Sequence, residues 1–354
     1  MSRFFSKKYK DLVPYVPGEQ PQDRSYIKLN TNESPFQASP KAQAAVQEAA
    51  KRLQLYSDPE CKLLRAKAAE LYGISPDEVI FTNGSDELLN FAIMAFCDAD
   101  TPAAFPDITY GFYKVFAQLN AVPYVQIPLL EDFTVNVSDY IGCNKTILIA
   151  NPNAPTGLAL SLQDVEKIVA GNPNNVVLID EAYVDFGGET AVPLIRKYDN
   201  LLIAQTFSKS RSMAGARLGM AIGSPALIQD LRNIQFSTNP FNVNAMTMAA
   251  GVGALEDEVY FKENCGKIIA NREWTTAELA KLGFTTLPSQ TNFILTKTPA
   301  IGGKALYLAL KAKGILIRHF DTDRLRDYIR VTIGTAEEMA AFVAAVKQIL
   351  EENV

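Results

Sequence analysis

Four short apolar runs, each of four or five residues, stop abruptly at polar motifs, and the segments between them read as helices. They are Val79-Ile80-Phe81-Thr82 before Asn83-Gly84-Ser85-Asp86-Glu87, and Ile147-Leu148-Ile149-Ala150 before Asn151-Pro152-Asn153-Ala154-Pro155-Thr156-Gly157. The other two are Val176-Val177-Leu178-Ile179 before Asp180-Glu181-Ala182-Tyr183, and Leu201-Leu202-Ile203-Ala204-Gln205 before Thr206-Phe207-Ser208-Lys209. A strand that is apolar on every residue is covered on both faces, which is the condition of a parallel sheet layered by helices. The chain is therefore expected to be α/β with a mainly parallel central sheet. Ligands of such sheets sit outside the carboxyl ends of the strands, so these four polar motifs should meet in one crevice. After about Asn244 the pattern changes to long helical stretches, such as Asp257 to Leu282, followed by three strand-like pieces and a final helix near Thr335 to Leu350. This predicts an N-terminal arm over 1–40, a large domain over 41–244 and a smaller α+β domain over 245–354.

Composition removes several classes of function. A chain of 354 residues with 48% hydrophobic content can bury a large core and divide into two lobes. A net charge of −5 with no basic run argues against an extended nucleic-acid surface. Cys61, Cys97, Cys143 and Cys265 are far apart, and His319 is the only histidine, so a structural zinc site is not expected. The opening Met1-Ser2-Arg3-Phe4-Phe5-Ser6-Lys7-Lys8 lacks an apolar segment long enough for export, and no later stretch reaches membrane-spanning length. A cytoplasmic protein with reduced thiols is the expectation.

Each strand end has a chemical reading and an ordinary one. Lys209 emerges where a strand stops, with Arg217 eight residues later, and a strand-end amine can form a Schiff base; a solvated surface lysine is the ordinary alternative. Gly84-Ser85-Asp86 before a helix offers free N–H groups to a phosphate, or is a plain N-cap. Asp180, flanked by apolar residues, needs a partner: a protonated pyridine nitrogen would serve, and so would a turn or an arginine. Tyr183 is close enough to share the site, or is core with its hydroxyl at the rim. Together a phosphate cradle, a buried acid, a strand-end lysine and an arginine are what pyridoxal 5'-phosphate requires. Tyr110, in Ile108-Thr109-Tyr110-Gly111-Phe112-Tyr113, could stack on the ring or pack in the core. Arg330, within Tyr328-Ile329-Arg330-Val331, could clamp an anion or pair with an acid.

In this order and spacing the chain resembles the fold-type I, pyridoxal-phosphate-dependent aminotransferases, most closely their histidinol-phosphate branch. The resemblance runs over nearly the whole length. It includes Leu12-Val13-Pro14-Tyr15-Val16-Pro17-Gly18, Lys28-Leu29-Asn30-Thr31-Asn32-Glu33-Ser34-Pro35-Phe36 and Tyr56-Ser57-Asp58-Pro59. It continues through the strand-end motifs to Pro240-Phe241-Asn242-Val243-Asn244, Asn292-Phe293-Ile294-Leu295, Gly314-Ile315-Leu316-Ile317-Arg318 and Ile329-Arg330-Val331-Thr332-Ile333-Gly334.

The resemblance implies transamination between L-histidinol phosphate and 2-oxoglutarate, giving imidazole-acetol phosphate and L-glutamate, in histidine biosynthesis. Aromatic amino-acid transamination and threonine-phosphate decarboxylation are the related alternatives. It implies that Lys209 is the Schiff-base lysine and proton shuttle, Asp180 pairs with the ring nitrogen, Tyr183 with the ring phenolic oxygen, and Tyr110 stacks on the ring. Ser85, Asp86, Thr206, Ser208 and Arg217 would complete the cofactor site, and Tyr56 would reach the cofactor phosphate of the other subunit of a homodimer. Arg318 and Arg330 would take the substrate phosphate in one half-reaction and dicarboxylates in the other, with Tyr15, Asn32 and Glu33 near the cleft. One departure stands out: Ala154 replaces the asparagine usual before Pro-Thr-Gly, so Asn153 or Asn151 is expected to compensate, or Tyr183 acts alone. Intact Lys209, Asp180, Tyr183 and Arg217 speak against a non-catalytic relative. No Gly-x-Ser-x-Gly elbow supports a hydrolase, and His319 is expected to have no catalytic duty.

Overall fold

The computed structural model describes residues 2–10 and 12–352. The chain opens with β1 (Ile27–Lys28), α1 (Pro40–Ala49), α2 (Lys62–Tyr72), β2 (Val79–Thr82), α3 (Gly84–Phe96), β3 (Ala103–Pro106), α4 (Phe112–Leu119) and β4 (Tyr124–Ile127). It continues with β5 (Thr146–Ala150), α5 (Leu162–Ala170), β6 (Val177–Asp180), β7 (Leu201–Thr206), β8 (Gly219–Gly223), α6 (Pro225–Thr238), α7 (Ala245–Leu255) and α8 (Glu258–Lys281). It closes with β9 (Thr285–Thr286), β10 (Phe293–Lys297), α9 (Gly303–Ala312), β11 (Ile315–Leu316), β12 (Arg318–His319), β13 (Ile329–Thr332) and α10 (Ala336–Glu352).

A seven-stranded sheet in the order β2-β8-β7-β6-β5-β3-β4 carries the larger lobe. Its strands from β3 to β7 are parallel, and β8 alone inserts antiparallel between β7 and β2. The pleat sends alternate residues to opposite faces. Ile147, Ile149, Ile179, Ile203 and Ile222 pack with α1, α2, α5 and α7 on one side. Leu148, Leu178, Leu202, Ala204 and Ala221 pack with α3, α4 and α6 on the other. Covering both faces is what the unbroken apolar runs require, and each buried Ile or Leu contributes about 1.5–3 kcal/mol. The helices start on ordinary signals: Ser39 accepts from Ala42 N with Pro40 in the first turn, and Ser161 caps α5.

The smaller lobe is an antiparallel sheet, β12-β13-β10-β9, packed with α8, α9 and α10 around Phe293, Ile294, Phe342 and Val346. The three strand-like pieces expected here prove to be five short strands, β9 to β13, of which three have only two residues. Part of the N-terminal arm belongs to this lobe, since β1 pairs parallel with β11 through Ile27↔Ile315 and Lys28↔Leu316. Arg272 of α8 ties the lobes together by donating to the carbonyls of Phe186 at 2.8 Å and Thr291 at 2.9 Å. Among the described residues no helix is long and apolar enough to cross a membrane, and no cluster of His, Cys, Asp and Glu could hold a metal ion.

Candidate active site

The carboxyl ends of β2, β5, β6 and β7 converge on one cavity of about 310 Å³, lined by Ser85, Asp86, Tyr110, Ala154, Asp180, Tyr183, Thr206, Ser208, Lys209 and Arg217. It adjoins a cleft of about 540 Å³ that shares Thr31, Tyr110, Ala154, Tyr183 and Lys209 with it and adds Tyr15, Asn32, Thr109, Arg318 and Arg330.

At one end α3 begins at Gly84, and its N-cap Asn83 makes no side-chain cap bond. The first N–H groups of the helix, with their positive dipole end, are therefore left for a ligand, and the plain N-cap reading does not hold. Two glycines keep that space open. A Cβ on Gly84, whose φ is +78°, would lie 2.5 Å from Nη2 of Arg217, and one on Gly219 would lie 2.4 Å from the backbone nitrogen of Ser85. Arg217 donates to Asp86 Oδ2 at 3.0 Å, and the Tyr110 hydroxyl donates to Asp86 Oδ1 at 2.6 Å. The Asp86 carboxylate thus anchors the arginine and the aromatic ring, and only its backbone N–H is offered to an anion.

Asp180 closes β6 and is 4% exposed. Burial pushes its carboxyl up to about 6, against hydrogen bonds from the Tyr113 hydroxyl at 2.9 Å and the Ala182 N–H at 3.2 Å. The Ala182 bond is a local turn contact. No arginine among the described residues pairs with Asp180, so a buried carboxylate is left facing the cavity without a cation other than Lys209. Lys209 Nζ stands 5.8 Å from the Tyr183 ring centroid, and the Tyr183 ring meets Phe293 edge-on at 5.1 Å. Thr206 accepts from the Ser208 N–H at 3.2 Å, which shapes the turn that delivers Lys209.

A cavity with a buried acid, an uncapped helix start beside an arginine and a lysine on its wall fits pyridoxal 5'-phosphate: a cationic ring nitrogen, a phosphate and an aldehyde each find their chemical complement. The cleft fits a second anion. Arg318 and Arg330 lie directly opposite each other on β12 and β13, a like-charge pairing that is unfavourable until something negative sits between them. Arg330 donates to the Asn30 carbonyl at 3.1 Å, is flanked by the rings of Phe293 and Phe320 at 5.2 and 5.4 Å, and keeps a buried Nε with no partner. Burial and the neighbouring Arg318 hold its guanidinium below the usual range. No carboxylate among the described residues is within ion-pair distance of it, which leaves the anion-clamp reading and removes the salt bridge.

Residues 24–346 match the model of the aminotransferase class I and II family. Histidinol-phosphate aminotransferases of Brachyspira hyodysenteriae and a Marinomonas species are 49% and 48% identical, covering 99% and 98% of this chain and 100% and 99% of theirs. The chain belongs to the class I and II aminotransferases, on their histidinol-phosphate branch. The Sinorhizobium meliloti histidinol-phosphate aminotransferase, solved in complex with pyridoxal 5'-phosphate, superposes with a TM-score of 0.86 at 26% identity, over 94% of this chain and 93% of that one.

In this aminotransferase the side chains of three expected residues, Asn153, Asn151 and Asn32, are engaged elsewhere. Asn153 does not line the cavity: its Oδ1 accepts from Thr109 Oγ1 at 2.9 Å, and its Nδ2 donates to the Ile108 carbonyl and Thr156 Oγ1, both at 3.0 Å. It fastens the loop beneath Tyr110. Asn151 is likewise committed, to the backbone of Leu160, so neither amide replaces the one missing at Ala154. Tyr56, expected to serve the other subunit, is 86% exposed, stacks on Phe241 at 4.6 Å and lines neither the cavity nor the cleft of its own chain. Asn32 lines the cleft, but its amide is spent on Tyr183 and Thr332. His319 Nε2 donates to the Arg326 carbonyl, 2.8 Å away, outside both hollows. Tyr15 stacks on Phe112 at 4.2 Å, so the arm reaches across to the larger lobe while Glu19 bonds Tyr307 and Lys311 of α9. Tyr113 was not singled out from sequence. A buried tyrosine beside a buried acid is the signal that could have found it, because both need a polar partner.

Proposed function

We propose that this aminotransferase moves the amino group between L-histidinol phosphate and 2-oxoglutarate with pyridoxal 5'-phosphate, giving imidazole-acetol phosphate and L-glutamate for histidine biosynthesis. The observation that carries the substrate reading is the opposed pair Arg318↔Arg330 at the cleft beside Lys209. Two guanidiniums without a carboxylate partner suit a phosphate or a dicarboxylate, and the two substrates would use them in turn. The 49% and 48% identical relatives support the same reading.

When bound, the cofactor supplies an electron sink that lets a substrate carbon lose and regain a proton. Asp180, oriented by Tyr113 and Ala182, would set a buried negative charge against the ring nitrogen. The amides at the start of α3, Gly84, Ser85 and Asp86, would hold the phosphate with Arg217, beside Thr206 and Ser208. Lys209, on the cavity wall, would hold the cofactor through Nζ, and the same amine would take up and return the substrate proton. Tyr110 would cover the ring, and the Tyr183 hydroxyl would donate to its phenolic oxygen.

The working unit is a homodimer. Leu55, Tyr56 and Leu63, each more than half exposed, line a hollow of about 930 Å³ on α1, α2 and α7, and a second copy would cover it and bring Tyr56 to the other site. The enzyme works in the cytoplasm, with its four cysteines unpaired.

The test is the rate of amino transfer to 2-oxoglutarate from histidinol phosphate, phenylalanine and threonine phosphate. The highest kcat/KM should be for histidinol phosphate. Preference for phenylalanine would make this an aromatic transaminase, and carbon dioxide release from threonine phosphate would make it a decarboxylase.

A further inference from the structure

Asn32 is 2% exposed and stands at φ 56, in the left-handed region that asparagine enters more readily than most residues. Three contacts hold it there. Its N–H donates to Thr332 Oγ1 at 2.9 Å, Thr332 Oγ1 donates back to Asn32 Oδ1 at 3.1 Å, and Asn292 Nδ2 donates to the Asn32 carbonyl at 3.0 Å. Because Oδ1 is turned to the threonine hydroxyl, Nδ2 faces the other way and donates to the Tyr183 hydroxyl at 2.9 Å. A phenol has one hydrogen and two lone pairs, so an oxygen that accepts from Asn32 has its own hydrogen free to point elsewhere. Tyr183 lines the cavity it shares with Lys209 and Asp180. The loop after β5 adds only the methyl group of Ala154 to that wall, since Asn151 and Asn153 are spent within the loop.

We propose that Asn32 is a positioning residue whose amide fixes the Tyr183 hydroxyl as a hydrogen-bond donor toward a phenolate oxygen of the ligand in the strand-end cavity. This rests on the pyridoxal-phosphate reading above and deepens it. The other titratable or charged groups in the hollows that Tyr183 lines include Lys209, Asp180, Glu33, Asp86, Arg217, Tyr110, Tyr15 and Arg330, with Tyr113 behind Asp180, and the test leaves all of them in place.

The test is a pH titration of the visible absorbance of the protein loaded with pyridoxal 5'-phosphate. The variants are Asn32→Gly, which keeps the left-handed backbone, Thr332→Val, Tyr183→Phe and the Asn32→Gly/Tyr183→Phe pair. Loss of a positioned donor to a phenolate favours the protonated chromophore, so the midpoint should rise by about 0.5–1 pH unit in Asn32→Gly, the size expected for one hydrogen bond. Thr332→Val should move it the same way by less. In the Tyr183→Phe background, Asn32→Gly should add nothing, because it acts through that hydroxyl. A coloured Asn32→Gly protein with an unmoved midpoint, or additive shifts in the pair, would overturn the proposal. If Asn32→Gly does not fold, an unmoved midpoint in Thr332→Val overturns it instead. An unmutated chain that takes up no pyridoxal phosphate would overturn the cofactor reading and this proposal with it.

Discussion

Asp180 gives the most quantitative handle on the site, because its cost and its use are opposite sides of one burial. In the cofactor-free chain the carboxyl is pushed from 3.8 to about 6, a rise of roughly two units, and each unit corresponds to about 1.36 kcal/mol. Ionised Asp180 therefore costs the empty fold on the order of 3 kcal/mol. The sign follows from an acid whose folded pKa is raised: well below 3.8 it is protonated in both states and costs nothing, between about 3.8 and 6 the cost grows, and above 6 it is complete. Asp180→Asn removes the charge and keeps the contacts, since the amide oxygen can accept from Ala182 N and the amide nitrogen can donate to the Tyr113 oxygen. The variant should be more stable than the parent when both are cofactor-free at pH 8, and the gap should shrink steadily as the pH falls toward 4.5. With an unfolding entropy of about 2.1 cal/mol/K per residue over 354 residues, ~3 kcal/mol corresponds to a Tm rise of about 4 °C. Glu181, which burial also pushes up, to about 7, titrates nearby but is common to both chains and cancels in the difference. The assay is thermal unfolding of both cofactor-free proteins from pH 4.5 to 8, repeated with pyridoxal phosphate, which should reverse the order by stabilising only the parent strongly. A pH-independent difference, or a variant less stable at pH 8, would refute the argument.

Tyr113→Phe removes the hydroxyl donor at 2.9 Å and should raise the Asp180 carboxyl further, weakening pyridoxal-phosphate affinity about tenfold in a fluorescence titration while leaving Tm within a few degrees. Gly219→Ala places a methyl group 2.4 Å from the Ser85 nitrogen, which is backbone and cannot turn aside. It should lower cofactor affinity at least tenfold by equilibrium dialysis, whereas Gly215→Ala, whose Cβ meets nothing within 4 Å, should not. Arg330→Ala should raise KM for histidinol phosphate and for 2-oxoglutarate alike, by about 1.5–3 kcal/mol each; a defect in only one half-reaction would refute the shared anion site.

The large sheet was legible in the sequence because fully buried strands carry no polar residue until they end. Leu201–Thr206 and Glu258–Lys281 lie within one residue of the spans read from pattern alone. The strand ends therefore located Asp180 and Lys209 together. The five strands of the smaller lobe were not resolved because a two-residue strand such as Arg318–His319 shows no periodicity. The antiparallel insertion of β8 is set by pairing with β2 and β7, which no local signal records. Asn153 sits in a motif that suggests a ligand, yet the geometry of its loop turns the side chain toward Thr109 and Thr156. Asn32 and Tyr183 are separated by 151 residues, so their contact exists only once β1 and β13 are in place.

The central claim is that the strand-end cavity holds pyridoxal phosphate on Lys209. Borohydride reduction of the cofactor-loaded protein followed by peptide mass spectrometry tests it most directly. The account predicts a single pyridoxyl adduct, on the peptide carrying Lys209, and its loss in Lys209→Ala; an adduct on another lysine, or none in the parent, would contradict it.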